Sequence, residues 1–359
     1  MNNLMDSLYI AWTIGTKDIL DTIKNKAAIV NFILMILMVV FFYWLNLLRP
    51  FDQDVSVVVY DEGHTNLELN KVTLGDGAQY SFYAASSIQE MEQKMAFKNL
   101  GLVLPADFDQ VLASGGTPTL SGYIFWADRF KIADLETKYS QAFSQILGQP
   151  VQVAIGQNVI IPGASASGNQ SSVTHLMVYF IFWTGLALIP NLMLEEKQTR
   201  TIDALLTSPA SPGQVVLGKA LAGLFYILVI GGLAMALFSV YIVDWGLALS
   251  AFLGYALLAT GLGLAVGSFI QSQRQLGLWT VVLILVMVIP ATFYMEPMLK
   301  SGIRTILTWF PSSTLASLLR FSCSTGATPA QVYSNLAVSL ASIGLAYGLV
   351  VWKVRRSDR

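Results

Sequence analysis

The chain has 359 residues; 54% are apolar, only 12% are charged, and the mean hydropathy is +0.59. A soluble domain carries about 25% charged residues, so half that share cannot give a globule of this size a wettable surface. The net charge of −1 excludes a global pull toward nucleic acid, and the single cysteine, Cys323, excludes an intramolecular disulfide or a cysteine-built metal site.

The charges are not spread evenly. Six windows contain none: 27–48, 173–194, 220–243, 245–270, 276–294 and 332–352. They run from 19 to 26 residues, against the roughly 20 needed to cross the hydrocarbon core as a helix. In the sixth, Ser334, Asn335, Ser339 and Ser342 dilute the first half. The expected fold is an α-helical integral membrane protein of six transmembrane helices, with a small α/β extracytoplasmic domain between helices 1 and 2.

Residues 1–26 precede the first window, and 5–25 suit an amphipathic helix. Leu8, Trp12, Ile19 and Ile23 fall near one face, with Lys17, Asp18, Asp21 and Lys24 mostly opposite. Such a segment lies in the cytoplasmic interface; Trp12 and the adjacent span favour this over an ordinary cytoplasmic helix. The window 27–48 is too long for a signal-peptide core and follows mixed-charge residues, so it is expected to stay as a span.

Residues 49–172 hold 13 acidic and 7 basic residues, a net −6. Val55–Tyr60, Leu100–Leu104 and Leu120–Trp126 read as strands; Ser86–Phe97, Asp107–Ala113 and Ile132–Leu147 read as helices. Gly163–Ser172 reads as a flexible tether to the second span. Asn169-Gln-Ser is a glycosylation triplet of a kind common by chance.

The second and third spans are joined by a polar segment, 195–219. Thr201 can cap a helix, with Asp203 in its first turn. Ile202, Leu205 and Leu206 form an apolar ridge at helical spacing, which Pro209 and Pro212 terminate. A short amphipathic helix of this kind suits a groove on a partner protein, or else packs only on the ends of the two spans. Gly213 to Lys219 fits the spacing of a phosphate-binding loop, but Ala220 stands where Ser or Thr must hold magnesium, the interior is Val-Val-Leu, and a membrane span follows.

Asp244 is the only charge between spans three and four, so these form a tight hairpin. Gly263-xxx-Gly267 and Gly344-xxx-Gly348 permit close helix packing, within the chain or between two chains. In 295–331, Ile303–Phe310 and Thr314–Phe321 flank Pro311; two half-helices dipping back into the outer leaflet are favoured over a plain outer loop. The tail 353–359 is basic. Placing both termini in the cytoplasm puts 11 of the basic residues inside and leaves the 3–4 loop with none.

No catalytic set emerges. The two histidines, His64 and His175, have no ligand-like spacing to other donors. The spans contain no intramembrane charge of the kind that ion-coupled transport uses, so energy must come from outside the chain. The alternative is a receptor, with 49–172 as its ligand-binding sensor and no transport.

At 195–219 the chain resembles the permease subunits of ABC transporters of the type-2 exporter class, in the subgroup with a large extracytoplasmic domain between the first and second spans. Their signature runs E-[RK]-E-x-G-T-[IL]-[ED]-x-L-L-x-x-P, then Gly-Lys before the next span. Here it reads Glu196-Lys197-Gln198-Thr199-Arg200-Thr201-Ile202-Asp203-Ala204-Leu205-Leu206-Thr207-Ser208-Pro209, then Gly218-Lys219. Gln198 and Arg200 depart from it, and Arg200 favours continuous helix over a turn. Leu104-Pro105-Ala-Asp-Phe108, with Leu112 and Gly115, resembles an outer-domain pattern of the class. One span, an outer domain and five further spans match its layout; permeases that act mechanically on periplasmic partners usually have three spans there.

The resemblance implies two permeases, identical or paralogous, on two copies of a separate ATPase. It implies no enzymatic activity and no cofactor in this chain, with ATP and magnesium on the ATPase. Residues 195–219 would be the coupling loop. Glu196, Lys197, Thr201, Ile202, Asp203, Leu205 and Leu206 would meet the ATPase, with Pro209, Gly218 and Lys219 shaping the turn. The N-terminal helix would be the connecting helix of the class. The implied setting is a bacterial or archaeal cytoplasmic membrane, the implied role multidrug or lipid efflux.

Overall fold

The structure, a computed structural model, describes residues 2–48, 54–63, 65, 72–74, 78–95, 100–163, 169–198, 211–294 and 299–357. The chain divides into two compact units: Met1–Trp44 with Ser172–Ser322 and Ala327–Arg359, and Leu45–Ser171 with Cys323–Gly326.

The first unit is helical. Its elements are α1 (Asn2–Lys24), α2 (Lys26–Leu48), α6 (Asn169–Ala187), α7 (Ile189–Gln198), α8 (Pro212–Leu237), α9 (Trp245–Phe269), α10 (Gln273–Phe293), α11 (Ser301–Thr308), α12 (Pro311–Ser322) and α13 (Pro329–Ser357). Among the described residues, six stretches are long and apolar enough to cross a membrane: Ala28–Leu45, Thr174–Leu194, Gly213–Leu237, Trp245–Phe269, Gln273–Phe293 and Pro329–Arg356. The tether expected over Gly163–Ser172 is shorter than its sequence suggests, because Asn169–Ser172 already form the start of α6; residues 164–168 lie outside the described residues. The third apolar helix ends at Leu237 rather than 243. One turn of tighter helix, Ser239–Tyr241, follows, and Asp244 caps α9 by accepting from the Leu247 amide at 3.0 Å.

The second apolar stretch is broken between α6 and α7. Pro190 has no N–H to give the carbonyl of Leu186, its i−4 partner in an unbroken helix. Thr280 of α10 supplies the missing donor: its Oγ1 donates to the Leu186 carbonyl at 3.0 Å. Asn191 Nδ2 donates to the Ala187 carbonyl at 2.8 Å. The break is therefore closed by side chains, as apolar surroundings demand.

Small residues let α9 approach this break. A Cβ on Gly185 would meet Ala259 Cβ at 2.6 Å, one on Gly267 would meet the Pro190 carbonyl at 2.6 Å, and one on Gly263 would strike the Gly185 carbonyl. The Gly263–Gly267 pair thus packs within the chain. Gly344 and Gly348 have nothing within 4 Å of a Cβ position and share an open face of α13 with the exposed Leu345, Leu349 and Trp352.

Helix α12 is buried from Ser312 to Arg320 among its neighbours. Its first turn meets α9 where Tyr255 Oη donates to the Ser312 carbonyl at 2.7 Å. Its last residue accepts from the Val243 and Asp244 amides at 2.8 and 2.9 Å. Tyr255 lies ten residues inside α9, so α12 runs beside that helix over about 15 Å.

Among the described residues, the second unit is a seven-stranded sheet carrying helices. Its strands are β1 (Asp54–Asp61), β2 (Val72–Thr73), β3 (Gln79–Ala85), β4 (Leu100–Leu104), β5 (Thr119–Phe125), β6 (Gln152–Ala154) and β7 (Val159–Ile160). The order is β2-β3-β1-β4-β5-β6, with β7 pairing β5. β1 lies parallel to both β3 and β4, while β4 and β5 are antiparallel. Side chains alternate across a strand. Val55, Val57 and Val59 join Phe108 of α4 (Phe108–Ala113) and Tyr139 and Phe143 of α5 (Ile132–Leu147) in one core. Val58 and Val103 point the other way, against Met91 of α3 (Ile88–Lys94) and Met95. Covering both faces is what a parallel centre requires.

The expected helix over Ser86–Phe97 is shorter, with Ser87 capping it and residues 96–97 outside the described set. Glu90 accepts from the Ser86 amide at 2.7 Å and from the Ser86 hydroxyl, and pairs with Lys94 at 2.8 Å. Lys94 first, then Ser86, hold its carboxyl down at about 2. The Thr325 amide donates to the Pro162 carbonyl at 3.0 Å, so 323–326 belong to this unit.

Candidate coupling site

The segment that resembles a coupling loop is framed by two helices. α7 enters it and carries Glu196 and Lys197 in its last turn; the side chains of these two lie outside the described set. Thr201, Ile202, Asp203, Leu205, Leu206 and Pro209 also lie outside the described residues. α8 leaves the segment through a capping box. Ser211 Oγ accepts from the Gln214 amide, Gln214 Oε1 accepts from the Ser211 amide at 2.7 Å, and Pro212 fills the first turn.

Gly218 and Lys219 were expected to shape a turn. They are instead inside α8, and Gly213 to Lys219 is its first two turns rather than a loop. Their role is to seat α1. A Cβ on Gly218 would lie 2.7 Å from Ile14 Cβ and 2.8 Å from the Ala11 carbonyl. A Cβ on Gly15 would lie 2.9 Å from the Gly218 carbonyl. The two backbones meet because neither helix has a side chain there.

Lys219 is fully buried one residue later. Its Nζ donates to Asp18 Oδ2 of α1 at 3.2 Å and to the Leu192 carbonyl of α7 at 2.9 Å. Asp18 is buried too, with 7% of its side chain exposed. This corrects the sequence reading, which set Asp18 on the polar face of α1. Further contacts zip the pair. Gln214 Nε2 donates to Ser7 Oγ at 3.0 Å, and Tyr226 Oη donates to the Ile19 carbonyl at 3.0 Å. Partners advance together along both helices, so α1 and α8 run in the same direction.

Helix α1 consequently has three faces. Ala11, Ile14, Gly15 and Asp18 pack on α8. Lys17, Asp21 and Lys24 face outward. Leu8, Trp12, Leu20 and Ile23 form a separate apolar face that is about half exposed. Among the described residues no group of three His, Cys, Asp or Glu side chains stands together as a metal site.

A sequence model of the ABC-2 family transporter proteins matches residues 26–353, nearly the whole chain. The chain belongs to this family. No curated protein sequence matches it. It is an ABC-2 type permease, a multi-pass membrane protein that serves transport, and among the described residues six helices are long and apolar enough for its membrane passes. Permeases of the ABC-2 family work with a separate ATPase subunit and are generally not catalytic themselves.

Sequence reasoning for this ABC-2 permease missed Ser7, Asp18 and Gln214, and the carbonyl of Leu192. The signal for Asp18 was present. Ala11, Gly15 and Asp18 share a helical face, and two small residues at i and i+4 mark a close-packing seam. Lys219 lies one residue outside an uncharged window, where a cation needs a partner to be buried.

Proposed function

We propose that the chain is the permease subunit of an ATP-driven exporter, coupled to its ATPase through residues 195–219. The single observation that carries this reading is the frame of that segment. Two helices of the membrane bundle, α7 and α8, deliver it; a capping box starts the second, and the Gln214–Ser7 bond and a buried ion pair fix it to α1. A segment so anchored transmits force from an ATPase seated on it. Glu196, Lys197, Thr201, Ile202, Asp203, Leu205 and Leu206 form the ATPase contact. ATP and magnesium bind on the ATPase, of which two copies serve two permeases.

Both termini and the coupling loop lie in the cytoplasm of a bacterial or archaeal cell, and the sheet-bearing unit lies outside. The half-exposed apolar face of α1 rests in the lipid interface. α11 and α12 form the re-entrant segment; the depth of α12 beside α9 supports this.

The test is co-purification with the ATPase. Wild type should retain it, and Leu205→Asp should lose it while inserting into the membrane normally. Normal ATPase retention by Leu205→Asp refutes the coupling contact.

A further inference from the structure

We propose that Lys219 is a positioning residue whose ammonium clamps both ends of the coupling segment to α1, so that the three move as one block. The inference rests on the coupling role proposed above and adds the route by which motion leaves the loop.

The geometry is a three-way junction. The Lys219 ammonium reaches Asp18 at 3.2 Å and the Leu192 carbonyl at 2.9 Å. Lys219 belongs to the helix that leaves the segment, Leu192 to the helix that enters it, and Asp18 to the helix that leads into the first span. The Gly15–Gly218 approach and the Ser7–Gln214 and Ile19–Tyr226 bonds tie α1 to α8. The Lys219 ammonium also holds α7, through the Leu192 carbonyl. A lysine suits this place, because its ammonium carries three donors on one compact atom and can serve partners in different directions.

Charge gives the junction its stiffness. An ammonium out of water is costly unless paired and hydrogen-bonded. Separating α7, α8 and α1 would strip Lys219 of those partners inside the protein, so the open state is disfavoured. An apolar pair would glue α1 to α8 equally well, because replacing a buried ion pair by apolar side chains is often neutral. It would not hold the Leu192 carbonyl. Retention of an ion pair there makes sense if the tie to α7 matters. Displacement of the loop then carries α1 along, and with it the start of α2 at Lys26, since only Asn25 lies between the two helices. Without the clamp, the two ends of the loop splay and α1 stays behind.

The experiment uses the full permease with its ATPase in nanodiscs and a Cys323→Ser background. An environment-sensitive fluorophore on Tyr9→Cys, an exposed site on α1, reports its movement. ATP with vanadate is the perturbation. In separate samples, a short bis-maleimide bridging Ser7→Cys and Gln214→Cys reports whether α1 is docked. The clamp predicts a nucleotide-driven emission change in wild type. That change should be lost in Lys219→Met with ATPase binding retained.

Lys219→Met leaves Asp18 buried and unpaired, so it can fail to fold. The double variant Asp18→Asn with Lys219→Met removes both charges. It should keep α1 cross-linkable and still lose the emission change. Lys219→Arg, which keeps the charge and offers several donors, should restore part of it. An unaltered emission change in the double variant, with the cross-link intact, overturns the clamp. Absence of ATPase from the wild-type preparation would instead overturn the coupling reading itself.

Discussion

Thr280→Val tests whether the break in the second span is closed as described. Valine keeps the shape of threonine and removes the hydroxyl, so the Leu186 carbonyl loses the 3.0 Å bond from α10. Pro190 offers no amide in exchange. Such a bond between membrane helices contributes about 0.6 kcal/mol on average and about 1.7 at most. With about 2–4 °C per kcal/mol in domains of 150–250 residues, the loss should be about 1–7 °C in Tm. Pro190→Ala supplies the missing N–H, so in that background Thr280→Val should cost close to nothing. The assay is thermal unfolding in detergent of the four proteins of this double-mutant cycle. Equal losses in both backgrounds would show that Thr280 does not substitute for the proline's missing donor.

Gly218→Val should drive α1 off α8, since its Cβ lies 2.7 Å from Ile14 Cβ and 2.8 Å from backbone at Ala11. Overpacking of this kind costs about 1–3 kcal/mol, and trypsin should then cleave at Lys17 and Lys24 faster than in wild type. Gly263→Ala should lower Tm, because its Cβ strikes the Gly185 carbonyl, whereas Gly344→Ala and Gly348→Ala enter open space and should leave it unchanged. Glu90→Gln should matter only above acid pH. The Glu90 carboxyl sits at about 2, below its ordinary 4.5, so its contribution is complete above about 4.5 and fades as pH falls toward 2. Wild type and variant should therefore differ in Tm at pH 6 and converge near pH 2.

The spans were legible because a charge inside a hydrocarbon-crossing helix is costly, and its absence leaves a mark on the sequence. Ile132–Leu147 matched α5 to the residue, because its apolar positions repeat at helical spacing and Gly148, at φ 67°, ends it in the left-handed region. β3 was not foreseen. Its Ser81, Tyr83 and Ala85 mix polar, aromatic and small side chains on a partly covered face, which blurs the alternation. β2, β6 and β7, at two or three residues, are too short to carry a period. Pro190 was readable as a helix break, since a proline inside an apolar run removes a donor; its repair by Thr280, 90 residues on, was not. The same limit hid Asp18. A helical wheel sorts residues by polarity, and cannot show that an acid meets a lysine 201 positions away.

The sheet's ends also bear on how the chain keeps to itself. Among the described residues its outermost strands are β2, with two residues, and β6, with three, while the eight-residue β1 lies inside. An unpaired strand edge is a template on which another chain can add, and short edges are one way proteins blunt it. Membrane anchoring concentrates copies of a chain in two dimensions, where such templating would be most dangerous. With only two or three residues to pair against at β2 and β6, an incoming strand gains few hydrogen bonds there. At those two strands crowded neighbours can therefore collide without fusing into a shared sheet.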